Sequence, residues 1–167
     1  MTSDLQTGPD GAPRCRWALS AHEYLGYHDE EWGRPVLDDD GLFERLCLEA
    51  FQSGLSWLTI LRKRDAFRAA FADFSIEAVA GFGRRDVRRL LADEGIVRNE
   101  RKILAAIENA RRSLEAIEEL GSLRALVWSH RPGRRAAPRA FADVPSTTPE
   151  SEALARSRAR ICSAVLP

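Results

Sequence analysis

Residues 38–71 read DDDGLFERLCLEAFQSGLSWLTILRKRDAFRAAF, and this stretch decides the fold. Leu42, Phe43, Leu46, Cys47 and Ala50 recur at helical spacing behind a run of aspartates. Acidic residues belong at the positive end of a helix, so the run marks where this one starts. Gly54 breaks it. A second helix follows at once, with Trp57, Ile60, Leu61, Phe67 and Phe71 keeping the period and a kink expected near Arg64.

The pattern continues downstream. Residues 75–82 predict a short helix ended by Gly81 and Gly83. Residues 84–95 predict another, with Val87, Leu90 and Leu91 inward and Gly95 as its C-terminal cap. The longest runs from the cap Asn99 to Gly121, on a stripe of Ile103, Ile107, Ala110, Leu114 and Ile117. Residues 122–129 make one more. After a connection rich in Pro and Arg over 130–147, Thr148 caps a helix whose first turn holds Pro149, Glu150 and Glu152. Upstream, Ser20 is placed to cap a short helix over Tyr24–Glu31, closed by Gly33 and Pro35. No strand-like alternation stands out, so the expected fold class is all-α. Residues 1–13 read as a disordered tail and 14–167 as one helical domain.

Composition narrows the function classes. No apolar run approaches the roughly 20 residues of a membrane helix. The N-terminus has neither the basic start nor the apolar stretch of a secretory signal. Cys15, Cys47 and Cys162 are too scattered for a disulfide framework, which points to a reducing, cytoplasmic setting. The net charge is zero but unevenly placed: residues 1–60 hold 4 basic and 11 acidic side chains, residues 61–167 hold 21 and 14. That asymmetry permits a polyanionic partner, although on charge alone solvated helix faces are the better explanation. Lys63 and Lys102 are the only lysines among 25 cationic residues.

Three features stand out chemically. Cys15 and His28, amid Trp17, Tyr24, Tyr27 and Trp32, offer one thiolate and one imidazole, half of a tetrahedral zinc site. A buried thiol beside a hydrogen-bonded histidine is the alternative. Glu49 lies between apolar neighbours with Gln52 one turn on; it either faces a pocket that takes a cationic ligand or sits at a solvated edge. Gly54-Leu55-Ser56-Trp57 is a helix-to-helix turn carrying a large apolar side chain and an indole, either a wedge and stacking face for a base or a core anchor. Phosphate-binding glycine loops and nucleophile triads are missing from the sequence.

Taken together, these segments resemble the DNA-3-methyladenine glycosylase I family of the helix-hairpin-helix glycosylase superfamily. The matching stretches are Cys15-Arg-Trp17, Tyr27 through Gly33, Leu42-Phe43-Glu44 to Leu48-Glu49, Gln52 through Trp57, Ala92 through Asn99 with Lys102-Ile103, and Val144 through Thr148. The resemblance implies an all-α, monomeric, cytoplasmic bacterial enzyme of base-excision repair. It would hydrolyse 3-methyladenine from alkylated double-stranded DNA, with no membrane partner, no organic cofactor and no lyase step. Glu49 would be catalytic. Tyr27, Trp57, Trp17, Trp32 and Gln52 would bind the base, and Gly54 and Leu55 would wedge the duplex. Cys15 and His28 would be the first two ligands of a structural zinc. The family continues past residue 157 with a basic hairpin, a further helix and two more zinc ligands. The ending RSRARICSAVLP departs from that, and Cys162 stands out of register. A truncated chain with an incomplete zinc site is therefore expected, with little or no turnover on methylated duplex DNA at physiological salt. A non-catalytic remnant, or a zinc-stabilised helical module without activity, stays open as the alternative.

Overall fold

A computed structural model describes residues 4–133, 140 and 143–158. The chain forms two compact units, one of residues 1–35 with 133–147, the other of 36–132 with 148–167.

The larger unit is helical. It comprises α2 (Asp39–Gln52), α3 (Trp57–Ala70), α4 (Ile76–Ala80), α5 (Arg84–Ala92), α6 (Glu100–Leu120), α7 (Leu123–Trp128) and α8 (Pro149–Arg158). The long α6 packs against α2, α4, α5 and α7. The expected stripes supply the interior: Leu42, Phe43, Cys47, Ile60, Phe67, Phe71, Leu90, Ile103 and Ala110 are buried. Leu48 and Phe51 are buried as well, so the buried face of α2 is wider than its 3–4 spacing suggests. Phenylalanine rings run through this core in sequence: Phe43 meets Phe74, Phe74 meets Phe71, Phe71 meets Phe67 and Phe67 meets Phe51. Each fully buried ring contributes about 1.5–3 kcal/mol over leaving it exposed.

The aspartate run does more than start α2. Asp38 caps it by accepting from Gly41 N–H at 2.6 Å. Asp39 accepts from Arg124 N–H in the first turn of α7, and Asp40 from Ile76 N–H at the start of α4. Three consecutive carboxylates thus satisfy the unpaired amides of three helices, where the sequence predicted one. At the other ends, Gly121 caps α6 in the left-handed conformation, as expected. Gly95 does not cap α5, which ends at Ala92 with Asp93 as its cap. Gly95 instead lies where a Cβ would come within 2.8 Å of Ala66 on α3, so close approach of the chain explains the glycine. The second helix, α3, runs continuously through Arg64.

Between α3 and α4 the chain makes a left-handed turn. Ala72, Asp73 and Phe74 have φ of 52°, 52° and 56°. Such a conformation costs about 1–2 kcal/mol per residue. Burying Phe74 against Phe71, stacked at 5.5 Å, offsets it.

The smaller unit begins with two strands, β1 (Leu5–Thr7) and β2 (Pro13–Cys15), paired antiparallel. β1 lies where the sequence predicted a disordered tail, and β2 starts at that tail's last residue. A turn over Gly8–Gly11, closed by Gly11 N–H on Gly8 O at 3.0 Å, gives the segment its pairing. A 3-10 turn (Arg16–Leu19) leads to α1 (His22–Gly26), which continues as one π-helical turn over Tyr27–Glu31. Apart from this short ribbon the regular structure among the described residues is helical, so the chain is all-α. None of the described helices is long and apolar enough to cross a membrane.

Candidate functional site

In the helical unit the candidate residues lie within nine positions, from Glu49 to Trp57. Glu49 is exposed, while Cys47 and Leu48 before it are fully buried. Gln52, half-buried, follows three residues on, which on a helix is the same face.

The chain then turns sharply. Leu55 N–H donates to Gln52 O at 2.6 Å. Ser53 has φ −46° and ψ 118°, and Gly54 has φ +77°. These angles define a type II turn, whose third position strongly favours glycine because a side chain there is strained. Gly54 therefore has a backbone reason, independent of any ligand. Leu55 is 41% exposed at the end of this turn. Ser56 then caps α3, its Oγ accepting from Thr59 N–H at 3.1 Å. Trp57, half-buried, packs against the core. Core anchoring is thus part of its role.

One contributor here was not assigned a role from sequence. Lys102, in the first turn of α6, donates from Nζ to Phe51 O at 3.0 Å and Ser53 O at 2.6 Å. Burial pulls its pKa below the ordinary lysine value. The sequence offered only the rarity of lysine and the place of Lys102-Ile103 in a stretch that resembles the family.

In the smaller unit Trp17 gathers the predicted aromatics. Its ring meets Tyr27 at 6.2 Å, His28 at 5.2 Å and Trp32 at 5.4 Å, as well as Tyr24 at 5.6 Å. Trp32 stacks on His28 and is 51% exposed, so an indole face is presented outward.

Behind this cluster lies an ionic clasp that the sequence did not reveal. Arg14 donates in bidentate fashion to Asp10, and from Nε and Nη2 to Asp29. Gly8 leaves the room: a Cβ there would stand 2.6 Å from the Arg14 guanidinium. The Arg14 hydrogen bond, then that of His28, lowers the Asp29 pKa to about 2. The Asp10 carboxyl is pulled well below the usual range, again chiefly by Arg14.

The clasp orients His28. Its Nδ1 lies 2.8 Å from Asp29 Oδ1, and a carboxylate only accepts, so Nδ1 carries a proton, and in the neutral ring Nε2 holds the lone pair. That is the tautomer a metal ligand needs, with a carboxylate behind it. Cys15, at the end of β2, is a free thiol. Among the described residues, however, no three His, Cys, Asp or Glu side chains gather as a closed zinc cage requires. Cys162 lies outside the described residues.

A methyladenine glycosylase family model matches residues 17–161. DNA-3-methyladenine glycosylase 1 of Escherichia coli strain K12 is 41% identical over 147 residues, 86% of this chain and 78% of that protein. A crystal structure of a 3-methyladenine DNA glycosylase I aligns with a TM-score of 0.81 at 41% identity, over 92% of this chain and 86% of that one. A variant of 3-methyladenine DNA glycosylase I in complex with 3-methyladenine aligns at 0.76 and 32% identity, over 86% and 81%. The exposed carboxylate, the glycine turn and the indole after it thus stand in a relative's scaffold, and the chain belongs to the methyladenine glycosylase family.

Proposed function

We infer that this chain is a DNA-3-methyladenine glycosylase, hydrolysing the bond between the methylated base and deoxyribose. Within a family of this name, one observation carries the reading to particular residues. The exposed Glu49 carboxylate is followed on the same helix face by Gln52, then by a turn bearing the exposed Leu55.

Methylation at N3 makes the purine cationic. As the C1′–N9 bond breaks, its electron pair passes to the ring, cancels that charge and lets the base leave neutral. A water molecule adds to C1′ and gives up a proton, leaving an abasic sugar. A carboxylate and indole faces suit a cationic purine. Glu49 accepts a hydrogen bond from the extruded base, Gln52 adds an amide, and Trp57 stacks. Tyr27, Trp17 and Trp32 are the further aromatic residues that the family resemblance assigns to the base. Leu55 enters the stack that the base has left. Both lysines are tied to pairs of backbone carbonyls, so neither offers a free amine, which supports hydrolysis without a lyase step. The partner is duplex DNA and the setting the bacterial cytoplasm. A structural zinc would take the Cys15 thiolate and His28 Nε2 as two of its ligands and hold the N-terminal unit without entering the reaction.

The test is release of 3-methyladenine from methylated duplex DNA at low salt, with the 167-residue chain in excess so that a single turnover is read. Release above the buffer rate is expected. A chain that melts cooperatively yet releases nothing overturns the reading. For the metal, Cys15→Ser and His28→Ala should each lower bound zinc, and unchanged zinc in both removes them as ligands.

A further inference from the structure

We infer that Lys102 is a positioning residue for the DNA-wedge turn: its ammonium holds the Ser53–Gly54 peptide in the type II orientation and so fixes where Leu55 stands. This rests on the assignment of Leu55 as the wedge.

Type I and type II turns share their end points and differ by a flip of the central peptide. In the turn from Gln52 to Leu55, that peptide is the one joining Ser53 to Gly54, and its carbonyl is Ser53 O. Lys102 donates to this oxygen at 2.6 Å. Flipping the peptide would carry the oxygen to the opposite side and break the bond. The second bond, to Phe51 O at 3.0 Å, ties the same ammonium to the end of α2, whose last carbonyls lack helical partners. A compact ammonium with three donors can serve two carbonyls so close in the chain. The lysine is itself anchored, because α6 begins at the capped Asn99, whose side chain accepts from Lys102 N–H at 3.2 Å. The turn is therefore held at its centre by Lys102 and closed at its far end by the Ser56 cap.

Lys63 makes the same kind of contact elsewhere. Its Nζ donates to Glu94 O and Gly95 O at 3.0 Å each, in the link after α5. It serves as an internal control: the same chemistry on a segment that carries no assigned DNA contact.

Two measurements on the full chain test the inference. The first needs no DNA. Amide exchange of Leu55, protected by its bond to Gln52 O, should quicken about tenfold or more in Lys102→Met, as loss of a charged hydrogen bond implies. It should stay within about twofold in Lys63→Met, once both are corrected for global stability. If Lys102→Met lowers the yield of folded chain, Lys102→Gln, which keeps a neutral amide donor group, should shift exchange the same way by less. Leu55 exchange unchanged in the Lys102 variants, or raised equally in Lys63→Met, overturns the inference.

The second uses a duplex with a tetrahydrofuran abasic site opposite 2-aminopurine, at low salt. Wedge entry unstacks the probe and raises its fluorescence. The wild-type chain and Lys63→Met should give the full rise. Leu55→Ala should abolish it, and Lys102→Met should need about tenfold more protein to reach it. A full response from Lys102→Met at wild-type concentrations overturns the functional half of the inference. A wild-type signal that Leu55→Ala leaves intact removes Leu55 as the wedge instead, and the exchange measurement still decides what Lys102 holds.

Discussion

The two units are built on different physics. The helical unit buries a continuous run of phenylalanine rings under its helices. Over residues 4–35 the N-terminal unit has a single buried apolar side chain, Ala18, and relies on an arginine clasp and edge-on aromatic contacts. The difference teaches where function sits. Full burial stabilises a side chain and hides it from any ligand. The N-terminal aromatics gain less from packing, and Trp32 keeps a face to present. The Glu49–Trp57 segment follows the same logic within the helical unit, since exposure returns as soon as Phe51 has turned into the core.

Removing a core ring should give the largest effect. Phe71 meets Phe51, Phe67 and Phe74 and is fully buried, so Phe71→Ala should cost about 3–5 kcal/mol in denaturant unfolding. A loss under about 1 kcal/mol would mean that the ring sequence does not carry this unit. At the exposed end of the same unit, Glu49→Gln should leave the unfolding midpoint nearly unchanged. Its effect should fall on binding of free 3-methyladenine, weakened by about 1.5–3 kcal/mol through loss of one charged hydrogen bond. Unchanged affinity in a titration would remove Glu49 from the site.

Helix periodicity exposed α2, α3 and α6, because their apolar stripes are long and their caps, Asp38, Ser56, Asn99 and Gly121, are local. Glu49 and Gly54 stood out for related reasons, one a charge on an apolar helix and the other a glycine between two helices. What stayed hidden depends on partners distant in sequence or on elements too short for a period. Asp39 finds its amide 85 residues on, and Asp40 finds one 36 residues on. Strands of three residues carry no alternation to read. Lys102 reaches back 49 residues to Ser53, and nothing around Lys102 in sequence announces that contact.

The left-handed turn at 72–74 was equally silent, because Ala-Asp-Phe holds no glycine to mark it. It permits a smaller prediction. Ala72 is exposed, so Ala72→Gly removes little packing. Relief of about 1–2 kcal/mol of backbone strain exceeds the roughly 0.4–1 kcal/mol that glycine's extra freedom gives the unfolded chain. A net gain of at most about 1.5 kcal/mol is expected in thermal unfolding, and a loss would mean that the strain is relaxed some other way.

The smallest effect belongs to the clasp, whose carboxylates are partly open to solvent. Asp29 has its pKa lowered from 3.8 to about 2 by Arg14 first and His28 second. A depressed carboxylate stabilises the fold fully above its unfolded value and progressively less as pH falls through its folded one. The clasp should therefore hold above pH 3.8 and loosen between there and about 2. A carboxyl-carbon NMR titration of the wild-type chain should show the Asp29 midpoint near that lower value. Arg14→Gln should return it toward the ordinary carboxylate range. Added salt should raise it slightly, because partly exposed charges are screened within about 10 Å at 0.1 M ionic strength. A wild-type midpoint already at 3.8 would mean that Arg14 and Asp29 do not pair in solution. His28 would then lose the carboxylate contact that sets its tautomer, and with it the best structural support for its place at a metal.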